Sequence, residues 1–480
     1  MRNLSLENIA SACGGTLYCS SKEAAETVVT DIVTDNRKVT EGALFVAIKG
    51  NRVDGHDFIP SAFEAGASCV LSEKMIVTNH PFILVENSLE AIKKIAEFYR
   101  KSLDIKVVGI TGSVGKTSTK EMIYSVLSQK FRVLKTEGNF NNELGLPLTI
   151  FRIRDEHEIA VLEMGISDFG EMSRLSNIAK PDVAVITNIG LCHLENLKSR
   201  DGILKAKTEM FEHLAENGTI ILNGDDDKLI TVNESNGICP IFYHVENEDA
   251  EDFADNAQKE DSEIFADNAQ KGNSKIFADN IRNDGIKGIN CSLHYGEDCM
   301  DVKIQIPGKH MVYNAMAAMC VGKVFGLSNE EIQAGVESLR PVSGRNNIID
   351  VKDITVIDDC YNANPVSMKA SIDVLTYAGK RKVAILGDMF ELGKNEVDLH
   401  IEIGKYLEQS NIEVIALCGD LMNHAYTYLL EHASHKILYF FDKIEDLISE
   451  LDRMICPEDT VLVKASHGME FRKIIEYLTK

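Results

Sequence analysis

The first hundred residues alternate short apolar runs with stretches whose apolar positions have helical spacing. Val28–Val33, Ala43–Ile48 and Cys69–Leu71 are apolar runs of strand length. Ile59–Ala67 has the pattern of a helix, and over Ser88–Arg100 apolar side chains recur three or four residues apart, which predicts the buried face of a longer helix. The pattern therefore predicts a small N-terminal α/β unit.

Farther along the chain, short buried strands alternate with helical segments in two series. The first series has strands at Val107–Ile110, Ile159–Leu162, Val183–Thr187 and Thr219–Asn223. The second has strands at Thr355–Ile357, Val383–Leu386, Val414–Leu417, Ile437–Phe440 and Thr460–Val463. Strands that alternate with helices favour a parallel sheet that is covered on both faces.

The length of the chain fits this division. At roughly 150 residues per domain, 480 residues suffice for about three domains. We predict an α/β protein with a small N-terminal α/β domain over residues 1–100, a central parallel-sheet domain over 101–341 and a doubly wound, Rossmann-like C-terminal domain over 342–480.

An internal repeat separates the two strand series. The segment that begins at Phe253 recurs from Phe265, and a shortened copy begins at Phe277, so the copies are twelve residues apart. Three short copies are too few for a solenoid. Residues 246–268 contain ten acidic side chains against one lysine, a composition that favours solvated chain. We predict a surface insertion at about 246–276 with no catalytic role; a partner-docking loop is the alternative.

Charge and cysteine content narrow the function classes. Fifty Lys and Arg against 74 Asp and Glu give a formal charge of −24, which opposes nucleic-acid binding over most of the surface. The 11 cysteines include no C-x-x-C pair, so neither a zinc site nor a disulfide framework is indicated.

No apolar run reaches the ~20 residues of a membrane span, and the polar start has no signal-peptide core. We expect a cytoplasmic protein with no membrane insertion and no nucleic-acid partner.

The sharpest chemical signal is the glycine-rich segment Gly109–Thr119, which follows a predicted strand and precedes a predicted helix. Its backbone amides and the helix N-terminus would cradle phosphate oxygens, which predicts that the central domain is a P-loop ATPase domain. The match is to a variant P-loop, because the first glycine lies one residue early and Ile110 occupies its usual position. A glycine-rich turn that binds nothing is the alternative. The predicted phosphate-binding residues are Gly112, Ser113, Gly115, Lys116, Thr117 and Ser118.

Two metal-ligand candidates follow neighbouring strands of the central series. Glu163 comes directly after Ile159–Leu162, and His193 lies just beyond Val183–Gly190. Ligands of open α/β sheets bind at the carboxyl ends of the strands, so both residues are predicted to face the phosphate loop. A divalent ion there would neutralise charge during phosphoryl transfer. The alternatives are a solvated loop carboxylate and a loop histidine whose hydrogen bonds are satisfied.

Several stretches of the chain resemble the Mur ligases, the ATP-dependent amide-forming enzymes of peptidoglycan precursor synthesis. They are Gly109–Thr119, Glu137–Leu148, Glu163–Gly165 and Thr187–Gly190 with His193. Three more are similar to the branch of the family that joins D-alanyl-D-alanine to UDP-N-acetylmuramoyl-tripeptide: Asp54–Phe58, Asp358–Pro365 and Gly387–Gly393. The resemblance runs nearly the whole chain and implies that activity, with ATP and two Mg²⁺ ions.

The resemblance also implies roles around the nucleotide. Lys116 and Thr117 would hold the ATP phosphates and a first Mg²⁺ ion, while Glu163 and His193 would hold metal. Lys207 matches a lysine that the family carbamylates with CO₂, so that it becomes an anionic ligand of the second metal. From the residues alone, Lys207 would be a solvated helix lysine.

Four further residues match the family's nucleotide contacts. His310 and Asn314 match the adenine site, and their spacing of four puts them on one helix face; a helix cap with a buried polar contact is the alternative. Arg345 matches an arginine that reaches the γ-phosphate from the third domain, in the manner of an arginine finger, or else it is a surface arginine. Asp359 matches a residue near the ribose. The implied catalytic residues are Lys116, Lys207, His193 and Arg345.

The implied substrate contacts fall into two groups. The UDP end would be held in the first domain by Asn36, Arg37, Phe45, Asp54 and His56. The other implied substrate-binding residues, in the second and third domains, are Asn141, Asn142, Tyr361, Asn362 and Asn364. The chain departs from the family pattern at three positions: Ser is usual at Asn36, Gly at Ala465 and Arg at His467.

In the implied reaction, a peptide carboxylate attacks the γ-phosphate of ATP, and an amine then displaces phosphate from the acyl phosphate. Positioning and electrostatics carry such a reaction, so no Ser-His-Asp or Cys-His nucleophile is needed. A sibling Mur ligase, a folylpolyglutamate synthase and a phosphate-binding regulatory module are the alternatives. We expect a monomer.

Overall fold

Three β-sheets organise the chain. The computed structural model describes residues 1–50, 53–246 and 276–480, and within these ranges the sheets have five, nine and six strands in chain order. This arrangement confirms the predicted α/β fold with three domains. Across the same ranges, every helix is too short or too polar to cross a membrane.

The first sheet belongs to the small N-terminal unit. Its strands are β1 (Thr16–Tyr18), β2 (Ile32–Val33), β3 (Leu44–Val46), β4 (Cys69–Ser72) and β5 (Phe82–Leu84). The strand order is β1-β5-β4-β3-β2, and all pairs are parallel except β1 with β5. The predicted strand at Val28–Val33 is thus confined to its last two residues. The helices of this unit are α1 (Leu6–Cys13), α2 (Lys22–Ala25), α3 (Ile59–Glu64) and α4 (Ser88–Lys101).

The second sheet is the largest. Its strands are β6 (Lys106–Thr111), β7 (Val133–Lys135), β8 (Ile159–Glu163), β9 (Val183–Ile186), β10 (Thr219–Asn223), β11 (Ile241–Val245), β12 (Ile276–Asn283), β13 (Ile289–Tyr295) and β14 (Asp298–Ile304). The order is β14-β13-β12-β11-β10-β9-β6-β8-β7. The strands from β6 to β12 are parallel, and β13 and β14 extend the sheet as antiparallel strands.

Helices cover both faces of this second sheet. They are α5 (Lys116–Leu127), α6 (Gly145–Ile150), α7 (Glu171–Ala179), α8 (Leu194–Leu197), α9 (Arg200–Thr208), α10 (His310–Val324) and α11 (Asn329–Ser338). Apolar side chains of α5, α10 and α11 form one core against the sheet. Those of α4, α6, α7 and α9 form a second core on the other face, and this core is continuous with that of the first sheet.

The third sheet is doubly wound. Its strands are β15 (Asn347–Val351), β16 (Ile354–Asp358), β17 (Lys382–Gly387), β18 (Val414–Cys418), β19 (Ile437–Phe441) and β20 (Thr460–Lys464), in the order β15-β16-β20-β17-β18-β19. Only β15 pairs antiparallel among them. Separate cores lie on the two faces of this sheet. Its helices are α12 (Pro365–Thr376), α13 (Glu396–Gln409), α14 (Met422–His432), α15 (Ile444–Met454) and α16 (Arg472–Leu478).

The third copy of the sequence repeat is part of the second sheet. It lies in β12, where Ile276 and Ala278 are buried in the core and the ring of Phe277 stacks on His294 at 4.2 Å between centroids. The first two copies lie outside the described residues, within 247–275. Their assignment to a surface insertion therefore stays a prediction. The predicted end of the insertion at residue 276 is wrong, because Ile276 begins β12 and is buried in the core.

Deleting residues 252–275 tests that prediction. The deletion joins Glu251 to Ile276 and retains all of β12, including Ile276, which is 3% exposed. We expect soluble protein whose Michaelis constants change by less than about twofold, since surface changes usually cost no more than roughly 0.5 kcal/mol. A longer deletion through Ala278 is the control and should lower the melting temperature, because it removes core residues. Insoluble protein from the shorter deletion would show that the segment contributes to the fold.

Candidate active site

The carboxyl ends of three neighbouring strands bring the predicted phosphate loop and metal ligands together. β6 lies between β8 and β9, and the three strands are parallel. β6 leads into the loop at 112–115, β8 ends at Glu163, and the loop after β9 carries His193. Because parallel strands end at the same edge of a sheet, these residues face one cleft, which is where open α/β sheets bind ligands.

Two glycines and a clamp from the next loop shape the phosphate loop. Gly115 has a φ of +83°, and a Cβ on Gly112 would lie 1.9 Å from Thr187 Oγ1, so both positions require glycine. Asn188 accepts a hydrogen bond from Val114 N and donates one to Val114 O, each at 2.9 Å. The turn is therefore fixed before any phosphate binds.

Two lysine side chains converge on one carbonyl of this loop. Lys116 Nζ donates a hydrogen bond to Gly112 O at 2.8 Å, and Lys207 Nζ donates one at 3.1 Å. Lys207 is 1% exposed, so the interpretation of this residue as a solvated helix lysine is wrong. Burial, together with the charge of Lys116, lowers the pKa of Lys207 to about 7. A large share of Lys207 is therefore neutral amine at physiological pH, which is the form that reacts with CO₂.

Glu163 is a buried carboxylate rather than a solvated one, with 2% of its surface exposed. Thr117 Oγ1 donates to its Oε2 and Asn141 Nδ2 to its Oε1, both at 2.9 Å. Lys120 Nζ lies 3.8 Å from Oε2 and is equally buried. The sequence interpretation missed Lys120, although its position three residues after Thr117 places both on one face of α5. Lys120 Nζ is also 3.2 Å from Glu121 Oε1, so its charge is shared between the two carboxylates.

His193 lies at the edge of the same cleft, in a left-handed backbone conformation with φ +50°. Its Nδ1 is 3.3 Å from Oε2 of Glu391, which belongs to the third sheet's domain. Burial lowers the pKa of His193, and this effect exceeds the opposing effect of Glu391. The imidazole is therefore neutral at physiological pH, as a metal ligand must be.

The predicted adenine residues lie along α10. Asn314 is engaged within the protein: its Oδ1 accepts a hydrogen bond from Thr119 Oγ1 at 2.8 Å, and its Nδ2 donates to Met311 Sδ at 3.3 Å. His310 Nε2 lies 3.5 Å from Nδ2 of Asn346 in the third domain. Burial lowers the pKa of His310. The buried polar contact, which was the alternative for this pair, describes Asn314 in this structure.

Arg345 enters the cleft from the third domain. Its guanidinium carbon lies 4.2 Å from the ring centroid of Tyr361, a stacking that orients the side chain. Within the described residues the side chain makes no ion pair or hydrogen bond, so its N–H donors are available to an anion.

The structure also places two of the residues that depart from the family pattern. The ring of His467 lies 5.7 Å from that of Tyr361, while Ala465 is fully buried.

Asp359 is already satisfied by protein groups. Its Oδ1 accepts a hydrogen bond from Asn346 N at 3.1 Å, and its Oδ2 accepts from Ser371 Oγ and Lys464 Nζ, both at 2.5 Å. Lys464 also donates to the backbone oxygen of Asn362 at 3.1 Å. These bonds fix the loop between β16 and α12 that borders the cleft.

Two of the predicted substrate-binding asparagines accept hydrogen bonds from nearby backbone N–H groups and so stabilise their own loops. Asn364 caps α12 by accepting a hydrogen bond from Ser367 N at 2.9 Å. Asn142 accepts one from Gly145 N at 2.8 Å. Both residues also line the cleft, so this structural role is compatible with a substrate contact.

Most of the predicted site residues of the two larger domains line one cavity of about 740 Å³. Its lining includes Ser113, Gly115, Lys116, Thr117, Ser118, Asn141, Asn142, Glu163, His193, His310, Asn314, Arg345, Asp359, Tyr361, Asn362 and Asn364. Gly112 and Lys207 are not among the lining residues. They lie directly behind the lining, because Gly112 O accepts hydrogen bonds from both Lys116 and Lys207. The predicted residues of the first domain do not line this cavity.

In the first domain, three predicted UDP-binding residues make local contacts. Asn36 Nδ2 donates to Ser61 Oγ at 3.2 Å, and Arg37 makes a bidentate ion pair with Asp35. Phe45 is 1% exposed and belongs to the core of this domain. A role for Phe45 in binding would therefore be to support the loops rather than to touch a ligand.

The other two predicted residues, Asp54 and His56, belong to one hydrogen-bonded cluster. His56 Nδ1 lies 2.6 Å from Asp54 Oδ1, and its Nε2 accepts a hydrogen bond from Glu73 N at 3.1 Å. Lys74 Nζ donates to Asp54 Oδ2 at 2.8 Å. Both ring nitrogens of His56 are thus occupied by protein groups.

Three family models match consecutive parts of the chain. They are the Mur ligase family, catalytic domain, over residues 28–100, the Mur ligase middle domain over 110–322 and the Mur ligase, glutamate ligase domain over 344–467. A relative from Bacillus subtilis, named UDP-N-acetylmuramoyl-tripeptide–D-alanyl-D-alanine ligase, is 36% identical over 98% of this chain and 98% of its own. The chain belongs to the Mur ligase family.

Solved structures of Mur ligases share the three-sheet architecture. MurF from Acinetobacter baumannii superposes with a TM-score of 0.83 at 29% identity, covering 99% of this chain and 98% of that one. The MurF ligase from Thermotoga maritima in complex with ADP has a TM-score of 0.77 at 30% identity, covering 94% and 97%. The resemblance inferred from the motifs is therefore confirmed at the level of family and fold.

The oxygen donors of this Mur ligase cleft suit Mg²⁺. The Thr117 hydroxyl and the Glu163 carboxylate lie 2.9 Å apart, and Mg²⁺ is usually bound by one or two carboxylates together with substrate phosphates. Over the described ranges, no group of three or more His, Cys, Asp or Glu side chains is arranged as a metal site. A metal ion in the cleft would accordingly share its coordination between these residues and a nucleotide.

Proposed function

We propose that this protein is an ATP-dependent ligase that joins D-alanyl-D-alanine to UDP-N-acetylmuramoyl-tripeptide in peptidoglycan precursor synthesis. The observation that carries the proposal is the cavity in which Lys116 and Glu163 of the central domain meet Arg345 of the third. The name of the Bacillus subtilis relative supports the choice of substrates. The ADP complex of the Thermotoga maritima protein supports ATP as the phosphoryl donor.

In this proposal each of the three domains binds a different substrate. Residues 1–100 bind the UDP end of the acceptor, residues 101–341 bind ATP, and residues 342–480 bind the dipeptide. The family-model ranges and the three sheets are consistent with this division. The reacting ends of all three substrates then meet at the cleft between the second and third domains.

In the first step, the acceptor carboxylate attacks the γ-phosphorus of ATP. An O–P bond forms while the bond to the β-phosphate oxygen breaks, which yields an acyl phosphate and ADP. Lys116 and Arg345 neutralise the transferring phosphoryl group from opposite sides of the cleft, and the amides of the phosphate loop hold the β-phosphate. Such preorganised charges are the main catalytic contribution in phosphoryl transfer.

In the second step, the dipeptide amine attacks the acyl carbon. The N–C bond forms, the C–O bond to phosphate breaks, and the nitrogen gives up its proton as phosphate leaves. The same cations stabilise the departing phosphate. No protein nucleophile takes part, because phosphorylation has already converted the carboxylate oxygen into a good leaving group.

Thr117, Glu163 and His193 would hold Mg²⁺ in this proposal, and bound Mg²⁺ would supply neutralisation of phosphate charge. We propose that Lys207 is carbamylated and binds the second ion. Its neutral amine attacks CO₂, so that an N–C bond forms while one C–O π bond breaks, and the nitrogen gives a proton to water. A neutral amine beside Gly112 O thereby becomes an anionic carbamate. The burial of Lys207 and its lowered pKa support this assignment.

Phosphate release with each substrate omitted in turn tests the proposed function. We expect release only when ATP, UDP-N-acetylmuramoyl-tripeptide and D-alanyl-D-alanine are all present. A sibling ligase would respond to a free amino acid instead of the dipeptide, and a regulatory module would bind ATP without releasing phosphate. Either of these results would refute the proposal.

Arg345 gives a separate prediction. Because its guanidinium stacks on Tyr361 but makes no ion pair or hydrogen bond to the described residues, Arg345→Ala should lower kcat by about 10²–10³-fold with little change in melting temperature. Arg345→Lys should recover only part of the rate, since a lysine cannot donate in the bidentate geometry. Steady-state kinetics check the prediction, with Arg453→Ala as the control at an exposed arginine outside the cavity. Wild-type kcat in Arg345→Ala would exclude a role in phosphoryl transfer.

A further inference from the structure

Glu391 reaches across the domain boundary to His193. Its Oε2 lies 3.3 Å from His193 Nδ1, and the Glu391 side chain is 73% exposed. His193 follows β9 of the second sheet, whereas Glu391 follows β17 of the third. Both residues have left-handed backbone conformations, with φ values of +50° and +63°. Such conformations are costly for residues other than glycine and are concentrated at functional sites.

This contact favours one tautomer of the imidazole. A carboxylate oxygen 3.3 Å from Nδ1 favours the neutral form whose proton lies on Nδ1, and Nε2 then carries the lone pair. Nε2 makes no hydrogen bond to the described residues, and His193 lines the cavity. A carboxylate on one ring nitrogen is the usual way in which proteins orient the other nitrogen of a metal-binding histidine.

The contact also depends on where the third domain lies. His193 lies in the loop after β9 of the second sheet, whereas Glu391 is carried by the third domain. Within the described part of the chain, the exposed Glu391 side chain makes no other ion pair. If the third domain moved away from the second, His193 would lose this partner and the ring would be free to rotate. Orientation of His193 is thereby linked to closure of the cleft.

We propose that Glu391 is a positioning residue that holds the His193 imidazole with Nε2 directed at the metal site when the third domain is closed. The inference rests on the proposed role of His193 as a metal ligand. The third domain then contributes to metal binding as well as to phosphate neutralisation. The metal site is complete only in the closed arrangement, in which Arg345 also faces the cavity.

The test measures Mn²⁺ binding by electron paramagnetic resonance, with the full-length protein and a non-hydrolysable ATP analogue. Glu391→Ala removes the acceptor, whereas Glu391→Gln retains a neutral one. Glu431→Ala is the matched control, since it removes an exposed carboxylate from α14 of the same domain. We expect Mn²⁺ affinity to fall about tenfold in Glu391→Ala, to stay within about threefold in Glu391→Gln and to be unchanged in the control.

Unchanged Mn²⁺ affinity in Glu391→Ala, or an equal loss in Glu431→Ala, would overturn the inference. His193→Ala separates this result from the assignment on which it rests. If His193→Ala binds Mn²⁺ as the wild type does, His193 is not a ligand and both statements fail. If His193→Ala weakens binding and Glu391→Ala does not, only the inference about Glu391 fails. Formation of the ligation product by the wild type tests the proposed function independently of both.

Discussion

Lys116→Ala is expected to lower kcat by on the order of 10³-fold while leaving the melting temperature nearly unchanged. Among the described residues, the Lys116 side chain makes one hydrogen bond, to Gly112 O at 2.8 Å, and one such bond contributes about 0.5–1.5 kcal/mol to stability. Its charge faces the position of the transferring phosphate, where it acts on the transition state. Steady-state kinetics and thermal unfolding of the same preparation measure the two effects.

Lys101→Ala provides the matched control for Lys116. Lys101 is an exposed lysine at the end of α4 that pairs with Glu97 four residues earlier, so its loss should change neither kcat nor stability appreciably. A melting temperature that falls in Lys116→Ala as steeply as the activity would make Lys116 a structural residue. Full activity in that variant would remove the phosphate-binding assignment altogether.

Lys207→Ala is expected to abolish turnover and to be partly rescued by formate or acetate. In our proposal the carbamate of Lys207 is an anionic metal ligand, and a short carboxylate can occupy the space that the shortened side chain vacates. We expect rescue to saturate with carboxylate concentration and to recover about tenfold in rate, which is the scale of a ligand's contribution to a metal site. Lys207→Met, which fills the space with an apolar chain, should be inactive and not rescued.

Carbon-13 NMR provides a direct check on the same residue. Wild-type protein equilibrated with ¹³C-labelled CO₂ should give a carbamate signal that Lys207→Met lacks. Lys205→Met, two residues away on α9 and exposed, should retain the signal. A wild-type spectrum without any carbamate resonance, or rescue of Lys207→Met by carboxylates, would contradict the assignment.

Local motifs and strand alternation were sufficient to predict much of the fold and part of the site. The phosphate loop is one continuous segment, so its glycines and Lys116 can be identified from their spacing. Glu163 and His193 follow strands that alternate with helices, and parallel strands place their carboxyl ends at one edge of a sheet. These residues meet in the structure for that reason.

Other features depend on contacts between distant segments. Lys207 looks solvated in sequence because α9 has charged neighbours, and only the packing of α9 against the phosphate loop buries it. Glu391 and His193 come from different domains, and neither residue's neighbours indicate the other. Asn364 and His56 are predicted from the family resemblance to touch substrates, and the sequence did not indicate the hydrogen bonds that the structure gives them within the protein; their substrate contacts stay predictions.

Transfer of ¹⁸O from the acceptor to phosphate is the most direct test of the central claim, which is that the cleft activates a carboxylate as an acyl phosphate before amide formation. The acceptor would carry ¹⁸O in its terminal peptide carboxylate and be incubated with ATP and D-alanyl-D-alanine. The account predicts one ¹⁸O atom in each inorganic phosphate released. The ligated product should exceed the labelled acceptor in mass by the dipeptide less one ¹⁸O-labelled water, because one labelled oxygen has passed to phosphate. Unlabelled phosphate alongside ATP hydrolysis, or no ligated product, would contradict it.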